Sequence, residues 1–315
     1  MKENNFDTGP GSVKAPEGLP LEALDAANPL AFLAALGLFR VLTRAWPQHQ
    51  PRLGWERQGG VWRPIIISSP TAKPRDVVAA VHAQLASMAN HPAFTFADNL
   101  KVPKPVFRSF AENAAQNDAD HIAAEFAAAF ACDALTTDEG DVQDTGFRTM
   151  SGAGHQHFLA FMNQLARVTT EENLHSALFA PWRYDEQKLS MRWDPADDRR
   201  YALRWSDPSG DVIRTVRGAN RLAIEALPLF PVAPVGRKVE TTGFGSPYGR
   251  GTNWTWRIWE TPVPLNVCRS LLALSGLQEE IPDRATLRAR GIVEIYRCER
   301  ITIGKFRNFT QSQAV

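Results

Sequence analysis

NPLAFLAALGLFRVLTRAW, residues 28–46, decides how the rest of the chain must be arranged. Asn28 is a residue type that caps helix N-termini, and Pro29 suits the first helical position, where its missing N–H costs nothing. Leu30, Leu33, Leu36 and Leu38 then cover most of the circumference, while Gly37 removes a side chain at one point. A helix that is apolar nearly all round is buried, so this one is expected at the centre of the fold and closely packed.

Outward from it, LGWERQGGVWRPIIIS reads as a hairpin turning at Arg57-Gln58-Gly59-Gly60. Pro70 and Pro74 precede a helix from about Arg75 to Ala89, with Val77, Val78, Val81 and Leu85 at helical spacing. Residues 103–135 are Ala-rich, and Phe126 and Phe130 lie four apart, which predicts a helical hairpin packed on the core. The acidic TTDEGDVQDTG that follows reads as a loop or lid. Helices are expected from about Gly154 to Arg167, from Thr170 to Phe179 behind Thr-Thr-Glu-Glu, and from about Gly218 to Ala226. Residues Arg200 to Arg204 are strand-like, and PLFPVAPVG reads as a connector. The last quarter runs strand (KVETTGFG), Gly-rich turn (SPYGRG), strand (NWTWRIW), helix (VPLNVCRSLLALSG), strand (GIVEIYRCERITIG). The expected fold class is α+β, with mixed or antiparallel sheet regions from both chain ends around a helical middle segment. Residues 1–18 are read as a flexible N-terminal tail and 19–315 as a single α+β domain, with room for a helical insertion at about 103–180.

Composition is that of a globular chain: of 315 residues, 44% are hydrophobic and 22% charged, which excludes disordered and fibrous classes. No apolar run reaches the roughly 18 residues a bilayer span needs. The opening MKENNFDTGPGSVKAPEG is polar, unlike a secretory signal, so a cytoplasmic protein is expected, with no membrane partner. Cys132, Cys268 and Cys298 are widely separated and read as buried thiols. Residues 1–150 carry a net −4 and residues 151–315 a net +5; 19 of the 22 basic residues in the second half are Arg. An Arg fork suits phosphate and base edges, although a GC-rich genome also favours Arg codons.

The chemistry-bearing stretches leave alternatives open. SGAGHQHF, residues 151–158, reads as a helix start whose free N–H groups and glycines suit a phosphate, as plain structure with Phe158 buried, or as a metal clip of His155 and His157. GFGSPYGRG reads as a mobile hairpin tip carrying Tyr248 and Arg250, or as an ordinary long turn. Neither a P-loop, nor a dinucleotide fingerprint, nor a Gly-x-Ser-x-Gly elbow is present. Asp194, Asp197, Asp198 and Glu225 have the chemistry of a two-metal site, but DPADDRRY resembles a turn in which Asp bonds its own backbone. Trp and Arg interleave through Trp182–Trp205 and Trp254–Trp259, as base-stacking surfaces do; alternating strand faces with Trp in and Arg out is the preferred reading.

Four stretches together, LDAANPLAFLAALGLFRVL, SGAGHQHFL, RWDPADDRRYAL with RGANRLAIEALPLFPV, and WTWRIWETPVPLNVCRSLLAL, resemble CRISPR-associated proteins of the type I-U/I-G subtype, among the large-subunit-like or accessory proteins of the Cascade surveillance complex. The resemblance implies a non-catalytic subunit acting in antiviral defence, partnered by crRNA-binding backbone subunits and by DNA and/or crRNA, with no cofactor and no metal. It puts forward Ser151, Gly152, Gly154, His155 and Gln156 at the helix start, Arg199 and Arg200, and Asn220 with Arg221 as nucleic-acid contacts; Tyr248 and Arg250 join them from the hairpin tip. Two other classes stay open. One is a metal-dependent nuclease or hydrolase on Asp197, Asp198, Glu225 and His155. The other is a structural protein–protein interaction subunit without nucleic-acid contact.

Overall fold

The computed structural model describes residues 18–150, 156–197, 214–274, 276–303 and 306–315. The tail read at residues 1–18 therefore lies almost wholly outside the described residues, as does the strand-like Arg200–Arg204.

The elements follow in chain order: β1 (Leu19–Pro20), α1 (Pro29–Ala45), β2 (Arg52–Gln58), β3 (Val61–Ile67), α2 (Pro74–Ala86), α3 (Pro92–Thr95), α4 (Lys104–Ala115), α5 (Ile122–Phe130), β4 (Ala131–Thr136) and β5 (Val142–Asp144). Then come α6 (Phe158–Val168), α7 (Glu171–Phe179), α8 (Arg217–Ile224), β6 (Val232–Val235), β7 (Lys238–Thr241), β8 (Phe244–Gly245), β9 (Asn253–Trp259), α9 (Leu265–Leu272), α10 (Arg284–Ala289), β10 (Ile292–Ile303), β11 (Phe306–Phe309) and β12 (Gln313–Ala314). The class is α+β.

α1 is the central element. Asn28 Oδ1 accepts from the amides of Leu30 (2.9 Å) and Ala31 (3.2 Å), and every residue from Pro29 to Leu42 is buried. Gly37 permits its contact with α8, because a Cβ there would stand 1.8 Å from the carbonyl oxygen of Leu222. Phe32, on the same helix, stacks on Trp55 of β2 at 5.4 Å and meets Trp254 and Trp256 of β9 at 5.9 and 5.7 Å. One helix thus binds two sheets into a single apolar core that runs from Leu19 to Phe309. Phe107, Phe126, Phe130 and Phe158 from the middle of the chain belong to that core.

Both sheets are antiparallel. The N-terminal one has the order β1-β3-β2; the C-terminal one has the order β11-β10-β9-β8, with β12 also paired to β10. Leu53 of β2 and Val263, in the segment after β9, exchange two backbone hydrogen bonds of 3.0 Å, which tie that segment to the N-terminal sheet. The β2–β3 turn places Gly59 and Gly60 at φ +58° and +88°, the pair of left-handed residues that a type I′ hairpin requires. α7 begins with a capping box between Thr170 and Asn173.

Several local expectations change. Strand β9 is buried at all seven positions, so Arg257 does not face water: α9 and the segment after it cover that side, where Arg257 donates to the carbonyls of Leu272 (3.1 Å) and Leu274 (3.3 Å). The acidic segment is the turn of a β4–β5 hairpin instead of a lid, closed by a 3.0 Å bond from the Gly140 amide to Thr137 O. PLFPVAPVG contains β6, half of a hairpin with β7. The helix expected from Gly154 starts at Phe158, behind His157 at the cap position. Among the described residues no helix is long and apolar enough to cross a membrane.

Candidate nucleic-acid interface

The proposed contact residues separate into four groups. Ser151, Gly152, Gly154, His155, Arg199 and Arg200 lie outside the described residues, as does Asp198. Gln156 is half-buried, and its Oε1 accepts from Arg192 Nη2 at 2.8 Å. Tyr248 and Arg250 are exposed on the β8–β9 turn.

Asn220 and Arg221 are corrected by burial, because both side chains are fully enclosed and reach no surface. Asn220 lies in α8 and uses its whole amide internally. Its Oδ1 accepts from the Met191 amide (2.8 Å), and its Nδ2 donates to Thr215 Oγ1 (2.8 Å) and Val216 O (2.9 Å). Arg221 pairs with Glu225 Oε1 one turn on (3.0 Å) and donates to Leu85 O (3.2 Å). Glu225 Oε2 takes Arg40 Nη1 from α1 at 2.8 Å, and Arg40 also pairs with Glu125 of α5, which reaches Arg269 of α9 at 2.9 Å. Burial would raise the Glu225 pKa, but Arg221 and Arg40 on either side hold it below the usual carboxylate range. The network joins four helices, and the Glu225 carboxylate at its centre has no face open to substrate. Asp194 is likewise buried; its Oδ1 accepts from Asn28 Nδ2 (3.2 Å) and the Ala196 amide (3.0 Å). Among the described residues no three His, Cys, Asp or Glu side chains are grouped to hold a metal ion.

The turn carrying Tyr248 is closed by its own bonds: Gly249 N donates to Ser246 O (2.9 Å) and Ser246 Oγ to Gly251 O (2.6 Å). Arg297 lies over the Tyr248 ring at 5.5 Å and donates to its hydroxyl at 3.2 Å. The turn borders a groove of about 330 Å³ lined by Asn253, Arg297, Glu299, Thr310 and Gln311.

An arginine cluster that sequence reading missed lies next along the β10–β11 ribbon. In the β10–β11 ribbon Arg300 stands opposite Phe309 and Thr302 opposite Arg307, so Arg300 and Arg307 share one face. The loop after β5 brings Arg148 to the same place, where its Nε donates to Asp144 Oδ2 (2.7 Å) and its Nη1 to Met150 O (3.1 Å). Arg300 Nη1 is held by Gly146 O at 2.8 Å. Arg300 Nε is buried without a hydrogen-bond partner, and the Arg307 side chain makes no hydrogen bond or ion pair among the described residues. All three side chains are half-buried, and among the described residues Asp144 is the carboxylate that acts on both Arg300 and Arg307.

Burial, then repulsion from Arg307, brings the Arg300 pKa down to about 10; burial and Arg148 lower that of Arg307. Burial raises the Asp144 pKa despite the pull of Arg148. Arg192 adjoins this face, since its carbonyl accepts from the Phe309 amide at 3.4 Å, and so Gln156 is brought to the edge of β11. Trp193 Nε1 to Phe147 O (2.9 Å) and Thr149 Oγ1 to Met191 O (2.7 Å) fasten the 145–150 loop to the 191–193 segment. Only the register of β10 with β11 and the return of the Arg148 loop create the cluster, so no local spacing announced it.

Comparison with known proteins adds no relative to this geometry. No family model matches the chain. No characterised protein matches it either.

Proposed function

We propose that this chain is a non-catalytic, nucleic-acid-contacting subunit of a type I CRISPR surveillance complex, working in the cytoplasm beside crRNA-binding backbone subunits. The observation that supports contact with nucleic acid is the Arg148–Arg300–Arg307 cluster, three half-buried arginines of which one, Arg148, is paired with Asp144. Guanidiniums are the side chains whose fork matches phosphate oxygens, and partial burial strengthens each contact relative to open solvent. The assignment to a surveillance complex rests on the sequence resemblance alone. Glu225, one of the carboxylates named for the hydrolase alternative, is enclosed by Arg221 and Arg40, while the side chains of Asp197, Asp198 and His155 lie outside the described residues.

The test is a titration of labelled duplex DNA, single-stranded DNA and RNA with the wild type and with Arg300→Gln/Arg307→Gln. The reading expects wild-type binding to at least one of the three and a loss of about tenfold or more in the variant. Absence of binding to all three, or equal affinity of wild type and variant, would overturn it.

A further inference from the structure

We propose that the groove beside Tyr248 is a pocket for one unpaired guanine base, stacked on the Tyr248 ring and read by Glu299 and Asn253. This rests on the reading of the chain as a nucleic-acid-contacting protein and names the base it takes.

Sheet register builds the pocket. Asn253 stands opposite Glu299, while Thr255 and Gln313 stand opposite Arg297, so these side chains share one face of β9, β10 and β12. Arg297 holds the Tyr248 ring against that face, 5.5 Å from its centroid and with a 3.2 Å bond to its hydroxyl. Tyr248 is nevertheless 49% exposed, which leaves the other side of the ring for a ligand. Unpaired bases stack on aromatic side chains placed in this way, and a ring already fixed loses little freedom on binding. The groove, about 330 Å³, is at the small end for a ligand pocket and suits a single flat group.

The chemistry of its edge selects guanine. The Glu299 carboxylate only accepts hydrogen bonds, and among the described residues it has neither a hydrogen bond nor an ion pair. Asn253 is 6% exposed and lines the groove, yet its side-chain amide has no hydrogen bond among the described residues. An enclosed amide without a partner is a cost that native structures rarely leave uncompensated. The two groups adjoin: a Cβ on Gly251 would lie 3.0 Å from Glu299 Oε1 and 3.9 Å from Asn253 Nδ2. Guanine sets two donors side by side for a carboxylate, its N1–H and its 2-amino group, with O6 next to them to accept from an amide. Adenine and cytosine instead place a ring acceptor beside their amino group, which a carboxylate repels. A guanidinium from a protein partner would also pair with Glu299, but Arg297 opposes it. The hydrogen bonds of Arg297, to Thr255, Tyr248, Leu277, Glu279 and Glu280, all end on neutral oxygens and leave its charge without a paired carboxylate.

The test compares all-thymine DNA strands carrying one central guanine, adenine, cytosine or hypoxanthine, with a second set in all-uracil RNA. The wild type should bind the guanine strand of at least one set about tenfold or more tightly than the adenine and cytosine strands, and hypoxanthine, which lacks the 2-amino group, should lose most of that preference. Tyr248→Ala should weaken the guanine strand about tenfold and Tyr248→Trp should retain it, while Glu299→Gln should bring the bases level. Equal wild-type affinity for the central bases in both sets, or preference for a base other than guanine, overturns the inference while leaving nucleic-acid contact standing. Failure of every strand to bind overturns both. The wild-type comparison needs no variant, so it is independent of any folding defect.

Discussion

Gly37 of α1 and Leu222 of α8 meet backbone to backbone: a Cβ added at Gly37 would lie 1.8 Å from the Leu222 carbonyl oxygen and 2.7 Å from its carbon. Neither atom belongs to a flexible side chain, so relief requires moving one helix against the other. Gly218 makes the matching approach of α8 to α7, where a Cβ would stand 2.2 Å from Asn173 O. Gly37→Ala is therefore expected to destabilise by about 3 kcal/mol or more. A lowered urea midpoint would show it; an unchanged midpoint would mean the helices are not in this contact.

The close approach places Arg40 against Glu225, and the pair makes stability depend on acid. Both Glu225 and Glu125 have folded pKa values below their ordinary 4.5. For each, burial acts upward, while Arg221 and Arg40 for Glu225, and Arg40 and Arg269 for Glu125, outweigh it. A depressed folded pKa gives stability that is full above 4.5 and lost as pH falls through the folded values. The melting temperature should fall steadily on acidification below that point. Glu225→Leu, which leaves Arg40 and Arg221 buried without their carboxylate, should cost about 3–5 kcal/mol at pH 7 and remove much of that acid dependence.

Arg297 of β10 is expected to fix the segment between α9 and α10. Its Nη2 donates to Leu277 O (2.8 Å) and Glu279 O (2.6 Å), its Nη1 to Glu280 O (3.2 Å), and its Nε to Thr255 Oγ1 (3.0 Å). Arg297→Met should cost about 1–3 kcal/mol and speed amide hydrogen exchange across residues 272–281 far more than in α1. Uniform exchange in the two regions would contradict that role.

Asp144 competes with any anion for Arg148. Its folded pKa is raised, so it takes up a proton above the ordinary Asp value of 3.8 as pH falls, and protonation releases Arg148. Asp144→Asn is expected to tighten nucleic-acid binding about fivefold, the equivalent of about 1 kcal/mol. Weaker binding by that variant would show that the carboxylate organises the site instead of opposing the ligand.

Much of the scaffold was legible because its signals are local. Asn28-Pro29, the leucine spacing of α1 and the Gly59–Gly60 turn each act within a few residues, and the structure has them as read. What failed depends on chain segments far apart in sequence. Arg221 and Glu225 lie one helical turn apart, a spacing that suggests an ion pair, yet only Arg40, 185 residues before Glu225, turns the pair into a buried network. Asn220 and Arg221 have the chemistry of base contacts, and burial alone removes them. Arg257 alternates with tryptophans as expected of a strand with one wet face, but α9 covers that face. Arg148, Arg300 and Arg307 come from two regions whose adjacency only the folded sheet creates.

The most direct test of the account is the salt dependence of nucleic-acid binding by the wild type and Arg307→Gln, measured side by side from low to physiological ionic strength. If Arg307 neutralises a phosphate, log affinity against log salt should be steep for the wild type and shallower in the variant by about one contact's worth, roughly 0.7–0.9 in slope. Parallel slopes for the two proteins would place the phosphate elsewhere and contradict the assignment.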